Sequence, residues 1–427
     1  MKTRPFNFLF LPLVMLSACS NSGSSVSSEE DFIRPEEYYA DFSGPLEHMN
    51  INYANRRDGK CGVEFWWSKA KIITPDHYMV ISTLDDYNKR LNGLTAPSGS
   101  VDFISFDGIY FDDGAMPEAL RLGMVDYDYR QVFIYYSKPA RVEYENYFAV
   151  FSNLITSVRK YASEAEVYFF VNSQKEIDAL SANDFEKVYI EQVSQNEMNA
   201  NIQGKINNCT NVVTSHPRET DNYASNKRES IEWSKIMFQN SSTFLNKNKR
   251  ILDIGASVMN ATYSFLLDEA PTFNIDGYFS SRGSNDVATQ RELDFIFRQY
   301  EYDGIHFNSG SHIKGQTSTE CYQSVSSLID SFVHAESKAK LIFSNSTPRG
   351  TTSDLTKFSD AESLEIIRMS DELMRICAEN DYPFDDLYNF AKDNGFVRID
   401  AIHYKAGGEE YLQLGKELAK FFRAYIK

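Results

Sequence analysis

Beyond its first residues this sequence has no apolar run approaching the ~20 residues that a membrane-spanning helix needs. Cysteine is scarce, five in 427 residues, and no two stand two to four positions apart, so the paired-ligand spacing of a structural zinc site is missing. Positive charge is short as well. Against 60 Asp and Glu stand 43 Lys and Arg, a formal net charge of −17 that repels phosphate backbones, and nucleic acid is not an expected partner. No internal repeat is found.

What is present is core material. Hydrophobic residues make up 42% and charged residues 24%, with 26 Tyr and 31 Phe, the balance of a globular chain. The length exceeds one compact core, so two domains are expected. Lys2 and Arg4 followed by the apolar run from Phe6 to Leu16 read as a targeting segment spanning residues 1–18. Leu16-Ser17-Ala18-Cys19 resembles the lipobox of bacterial lipoproteins. That resemblance implies cleavage before Cys19 and a lipid on it. Because Ser20 replaces the aspartate of the inner-membrane signal, it also implies an outer-membrane anchor facing the periplasm or cell surface. An ordinary signal peptide that happens to hold a cysteine is the alternative. The serine-rich stretch after Cys19 predicts a flexible tether to residue 35.

An exported chain meets an oxidising compartment. Setting Cys19 aside, Cys61, Cys209, Cys321 and Cys377 are even in number and allow three pairings. Cys61–Cys209 and Cys321–Cys377 are the expected disulfides, because each pair stays inside one proposed domain; unpaired buried thiols are the alternative.

Residues 36–240 form the first region, a separate α/β or α+β domain. Tyr78–Ser82, Val101–Phe106, Val132–Tyr136 and Val167–Val171 read as strands. Between the last two, Tyr147, Val150, Phe151, Leu154, Ile155 and Val158 keep helical spacing, predicting a βαβ unit. Asp107-Gly108 and Asp112-Asp113-Gly114 read as turns, and His77 and His216 as isolated surface or satisfied core histidines. Residues 219–238, with Ile231, Trp233, Ile236 and Phe238, are expected to form a connecting helix.

The second domain, residues 245–427, alternates strands and helices. Ile251–Ile254, Gly304–Asn308 and Ala339–Ser344 read as strands and Phe384–Tyr388 as an extended run; Val258–Leu267, Glu292–Tyr300, Tyr322–Val333, Ala361–Ala378 and Gly408–Tyr425 read as helices. Such alternation predicts a parallel sheet covered on both faces, with reactive groups beyond the carboxyl ends of the strands. That rule singles out three places. Gly255-Ala256-Ser257 follows a strand and opens a helix, whose free N–H groups suit a developing oxyanion. The G-x-S-x-G elbow is not met, because Met259 holds the last glycine position. The segment His306–His312 brings small, polar and imidazole side chains to the end of a strand. His306 and Phe307 point oppositely there, so one of them is core; Asn308 reads as a strand-edge cap, and Ser309 and Ser311 are rival nucleophiles that do not precede a helix. Asp400-Ala401-Ile402-His403 offers a carboxylate and an imidazole that can act together on a serine.

In this order the segments resemble the SGNH/GDSL hydrolase family over about 180 residues: strand-G-x-S-helix, "YDGIHFNSGSH", "AKLIFSNSTP" and "DAIHYKAGGEEYLQLGKELAKFF". The resemblance implies a flavodoxin-like three-layer α/β/α domain and serine esterase chemistry without metal or cofactor. Ser257 matches the nucleophile, His403 the base and Asp400 the residue that orients it. The oxyanion hole would use the Ser257 N–H, a second-block glycine (Gly283, with Gly277 as rival) and a third block holding Gly310 and His312, where His312 replaces the usual asparagine. Ala256 stands where G-D-S has its aspartate. The implied substrate is an acyl ester, with O-acetyl groups of an envelope glycan as candidate and the N-terminal domain as candidate glycan binder. The same triad could serve an O-acyltransferase, and an inactive binding or assembly lipoprotein is the reading from another class.

Overall fold

The computed structural model describes residues 59–68, 77–82, 93–96, 99–107, 116–125, 127–136, 143–213, 231–240, 249–284, 286–309 and 316–427. The first region contributes β1 (Gly59–Ser68), β2 (His77–Ser82), β3 (Ser100–Asp107), α1 (Met116–Met124), β4 (Tyr129–Tyr135), α2 (Tyr144–Arg159), β5 (Glu166–Val171), α3 (Gln174–Ala179), β6 (Val188–Gln192), α4 (Met198–Asn207) and β7 (Ile231–Asn240). There follow β8 (Lys249–Gly255), α5 (Ser257–Glu269), β9 (Phe273–Ser280), α6 (Val287–Gln299), β10 (Gly304–Ser309), α7 (Ser318–Ala335), β11 (Lys340–Asn345), α8 (Leu364–Asn380), β12 (Phe384–Asp385), α9 (Leu387–Asp393) and α10 (Glu409–Tyr425). No described helix is long and apolar enough to cross a membrane.

The twelve strands among the described residues form one sheet in the order β12-β11-β10-β8-β9-β7-β1-β3-β2-β4-β5-β6. From β8 to β12 every pairing is parallel, and β8, the first strand of that set, lies between β9 and β10. This is the flavodoxin-like order, with its switch point between β8 and β10. β2, β3, β4, β5 and β6 form a second parallel set. The sets join through β7 and β1, which pair antiparallel with each other and with their outer neighbours β9 and β3. Following these pairings across the sheet, the first parallel set runs opposite to the second.

Alternate residues of each strand feed opposite faces. On one face Phe65, Ile81, Ile134, Leu252, Phe307 and Phe343 form a single apolar layer with Leu120 of α1, Phe151 of α2, Phe295 of α6, Phe332 of α7 and Leu373 of α8. The other face carries two clusters. At one end Ile251, Ile275 and Ile342 meet Met259, Leu387 and Leu418 from α5, α9 and α10. At the other, Val80, Phe133 and Phe170 meet Ile202 of α4. Burial on both faces explains the near-continuous hydrophobic runs of β4 and β8.

Three expectations are corrected. Residues 231–238 are strand, not connecting helix: β7 buries Ile236 and Phe238 in one layer and Trp233 in the other, and two-sided burial hides a strand's alternation. The run Phe384–Tyr388 is extended only over β12, because the Asp386 side chain accepts the Asn389 N–H and starts α9 at Leu387. The disulfides are absent. Cys209, Cys321 and Cys377 are free thiols. Cys321 on α7 and Cys377 on α8 sit in one apolar layer as small hydrophobic side chains, and burial pushes the Cys377 thiol up to about 12. The carbonyl of Cys209 is held by Arg130 at the start of β4, three strand spacings from β1, which carries Cys61. The Cys61 side chain, the lipidation candidate Cys19, His216, and the Gly residues of the two Asp-Gly turns lie outside the described residues.

Candidate active site

β8 ends at Gly255, Ala256 takes the N-cap position with extended backbone (φ −112°, ψ −158°), and Ser257 is the first residue of α5. Gly255 answers a close approach. A Cβ there would lie 2.4 Å from Cγ of Met259, whose side chain fills the inside of the turn. The first N–H groups of a helix have no intrahelical acceptor, and the peptide dipoles favour negative charge beside them. The backbone that places the Ser257 hydroxyl at the rim therefore also places free donors around it.

The loop before α10 supplies the partners. His403 Nε2 lies 2.8 Å from Ser257 Oγ, and His403 Nδ1 lies 2.9 Å from Asp400 Oδ2. The other carboxylate oxygen, Oδ1, accepts the backbone N–H groups of Ile402 and His403, both at 2.7 Å. One oxygen thus shapes the loop while the other holds the ring. Partial burial pushes the Asp400 carboxyl up, but the two backbone N–H groups and the ring outweigh it and hold it below the usual range. An ionised carboxylate only accepts, so Nδ1 carries the proton and Nε2 is left to take the serine's. The side chains of His403 and Asp400 are 34% and 49% exposed, so the relay is open to a ligand arriving from solvent.

A residue not singled out in the sequence braces this loop. Arg398 is 1% exposed and donates to the carbonyls of Asp400 (2.9 Å), Asp354 (3.1 Å), Lys357 (2.6 Å) and Thr351 (3.4 Å). It ties the Asp400–His403 turn to the segment that follows β11. The Gly350 N–H donates to Ala401 O at 3.1 Å across the same seam, and a Cβ on Gly350 would strike the Arg398 guanidinium. The one available signal was an arginine two residues before an Asp-x-x-His, which is too common to read alone.

The oxyanion candidates divide. Gly283 follows β9, half-buried, with its carbonyl accepting from the Asp286 N–H (3.1 Å) and the Thr289 hydroxyl (3.0 Å). Its rival Gly277 lies inside β9, opposite Asp253 of β8 and Met237 of β7, below the rim. Gly310, Ser311 and His312 lie outside the described residues, and Ser309 is described as strand only. Asn308 reaches the rim, but its amide donates to Ser344 Oγ (2.9 Å) and Asn345 O (2.8 Å) and so faces into the sheet. His306 does not join Ser257. It is fully buried between Asp253 (Nδ1 to Oδ1, 2.6 Å) and Ser344 (Nε2 to Oγ, 2.9 Å), below the rim. Phe307, opposite it, is core as well. Five strand spacings from β8, at the start of β2, His77 is buried with Nδ1 2.7 Å from Ser100 Oγ. Among the described residues no cluster of three or more His, Cys, Asp and Glu is placed to hold a metal ion.

No family model matches the sequence, and no curated protein matches it. Solved structures do match part of it. A GDSL-like lipase from Bacteroides thetaiotaomicron is similar over 41% of this chain and 88% of its own, at 16% identity and a TM-score of 0.33. The M. smegmatis aryl esterase is similar over 42% of this chain and 99% of its own, at 14% identity and a TM-score of 0.32. A carbohydrate esterase family 2 enzyme with a carbohydrate binding domain, from Corynascus thermopiles, is similar over 41% of this chain and 66% of its own, at 14% identity and a TM-score of 0.33. At such values the roles of Ser257, His403 and Asp400 rest on their own geometry.

Proposed function

We propose that this chain is a serine esterase in which Ser257 attacks the carbonyl of an acyl ester. The observation that carries the reading is the unbroken relay from Ser257 Oγ through His403 to Asp400 at the carboxyl-end rim of a parallel sheet. His403 Nε2 takes the proton as the Oγ–carbon bond forms, and the carbonyl electrons move onto the oxygen. The helix N-terminus at Ser257 offers N–H groups to that oxyanion. Collapse breaks the ester C–O bond, and the proton held on Nε2 goes to the leaving alkoxide. Water then repeats the sequence on the acyl-enzyme and releases the acid. Asp400 keeps the ring oriented and balances its charge in both halves. Esters carried on glycans belong to the same proposal, with acetate release from an O-acetylated polysaccharide as the measurement.

A fluorophosphonate probe tests the reading directly. Wild-type protein should become labelled at Ser257 and Ser257→Ala should not; a wild-type protein that stays unlabelled, or one labelled elsewhere, overturns it. Attachment to a membrane through a lipid on Cys19 is a separate proposal, to be checked by mass spectrometry of the N-terminal peptide.

A further inference from the structure

The half of the sheet away from Ser257 carries a pocket of about 320 Å³ between the starts of β4 and β5 and the last turns of α4. That size lies at the lower end of small-molecule sites. Gln131, Glu166 and Tyr168 line it from the sheet, and Asn201, Gly204 and Lys205 from the helix. Gln131 is 1% exposed, and its Nε2 donates to Glu166 Oε2 at 2.8 Å. That bond fixes which way the amide points and leaves Oε1 buried with no hydrogen-bond partner. Asn201 Oδ1 is in the same condition. Two carbonyl oxygens without donors are costly, and such groups persist where a water or a ligand supplies the missing N–H or O–H.

The charges narrow the ligand. Tyr168 O–H also donates to Glu166 Oε2 (3.2 Å), while the Lys205 ammonium lies 4.1 Å from the centroid of the Tyr168 ring and 2.7 Å from Glu191. An anion would meet the Glu166 carboxylate and two orphan acceptors, and a cation would meet Lys205. What suits the lining is neutral and rich in donors. Tyr189, paired with Tyr168 across the β5–β6 register and stacked on it at 5.0 Å, is 43% exposed and presents an aromatic face beside the pocket. Aromatic faces of this kind accept the C–H faces of a sugar ring.

Position adds to chemistry. β4 and β5 run opposite to β8, so their starts lie at the rim where β8 ends. Gln131 points to the same side of the sheet as Phe133, the side covered by α4 and, further along, by α5 and α10. Six strand spacings separate β8 from β4, roughly 30 Å along that rim.

We infer that this pocket binds a neutral sugar unit, whose hydroxyls donate to the unpartnered oxygens of Gln131 and Asn201. The inference stands apart from the esterase reading, because binding here needs no turnover at Ser257.

The test titrates cellobiose, maltose and N,N′-diacetylchitobiose into the full chain, followed by calorimetry and saturation-transfer NMR, with glucosamine as the cationic and inorganic phosphate as the anionic comparison. Gly204→Phe is the diagnostic variant. No heavy atom lies within 4 Å of a Cβ placed there, and a helical glycine gains from substitution, so the ring fills the pocket without disturbing the core. At least one disaccharide should saturate, with Kd at least tenfold weaker in Gly204→Phe and in Gln131→Leu, and with p-nitrophenyl acetate hydrolysis unchanged in Gly204→Phe. Absence of saturation by all three at tens of millimolar, stronger binding of glucosamine or phosphate, or affinity that survives Gly204→Phe overturns the inference. Failure of Ser257 to label leaves this outcome untouched, and the reverse holds, so the two readings fail separately.

Discussion

Ser257, His403 and Asp400 come from segments 146 residues apart and meet within hydrogen-bond distance. Ser257→Ala is therefore expected to lower kcat by about 10⁴- to 10⁶-fold in a p-nitrophenyl ester assay. Asp400→Asn removes the acceptor that sets the ring's tautomer, and a loss of about 10⁴-fold is expected. Arg398→Lys keeps the charge but cannot bridge four carbonyls. The expected outcome is kcat lower by about 10- to 100-fold with KM little changed, since the base shifts while the surface that binds substrate stays; a variant with only KM raised would contradict this bracing role. A pH-dependent test lies beneath the site. Burial, then Glu417, pushes the Asp385 carboxyl up to about 6 from 3.8, against the pull of His306. A raised folded value means that the stabilisation is whole below pH 3.8 and is lost as pH climbs through 6. Asp385→Asn should accordingly raise stability by about 1–3 kcal/mol at pH 8 and by nothing at pH 4, read from denaturant melts at both. The serine and the Asp-x-x-His could be read in sequence because each sits where a strand ends or a last helix begins, so topology alone carries it to the rim. Arg398 could not, because its partners are carbonyls, and every residue has one. The cysteines misled because even number and domain membership say nothing about where two side chains point.

At the scale of elements, the alternation after residue 249 was legible because its strands are short apolar runs and its helices keep a 3.6-residue period. β9 carries no such signal, and the apolar spacing in β7 predicts a helix where the chain forms a strand. Both are buried on two faces, and the spacing of Ile231, Trp233, Ile236 and Phe238 fits a helix nearly as well as a strand with two apolar sides. The turn between β8 and α5 offers a test of how tightly an element junction is specified. Gly255→Ala would drive a methyl into Met259, so it is expected to destabilise; Met259→Ala opens that space while emptying a core position. In a double-mutant cycle the pair should be less damaging than the sum of the singles by about 0.5–3 kcal/mol. Strict additivity would mean that the turn relaxes elsewhere.

Across the whole molecule, the expected boundary at residues 240–245 falls between β7 and β8, and β7 pairs with β1 on one side and β9 on the other. Expressed alone, residues 245–427 would bare the edge of β9 that β7 covers. Such an edge invites pairing with other chains, so that fragment is expected to elute as oligomers or aggregate, whereas the full chain does not. A monodisperse monomeric fragment on size-exclusion chromatography would refute this. The seam is also continuous: β1 and β7 stay in register over ten residues, from Gly59 opposite Asn240 to Ser68 opposite Ile231. Opening a hinge there would mean tearing a backbone ladder, so the interval between the hydroxyl at one end of the rim and the polar recess at the other cannot stretch or shrink. A long ligand gripped at both would be gauged as well as held, and one too short to span the gap would touch a single station at a time.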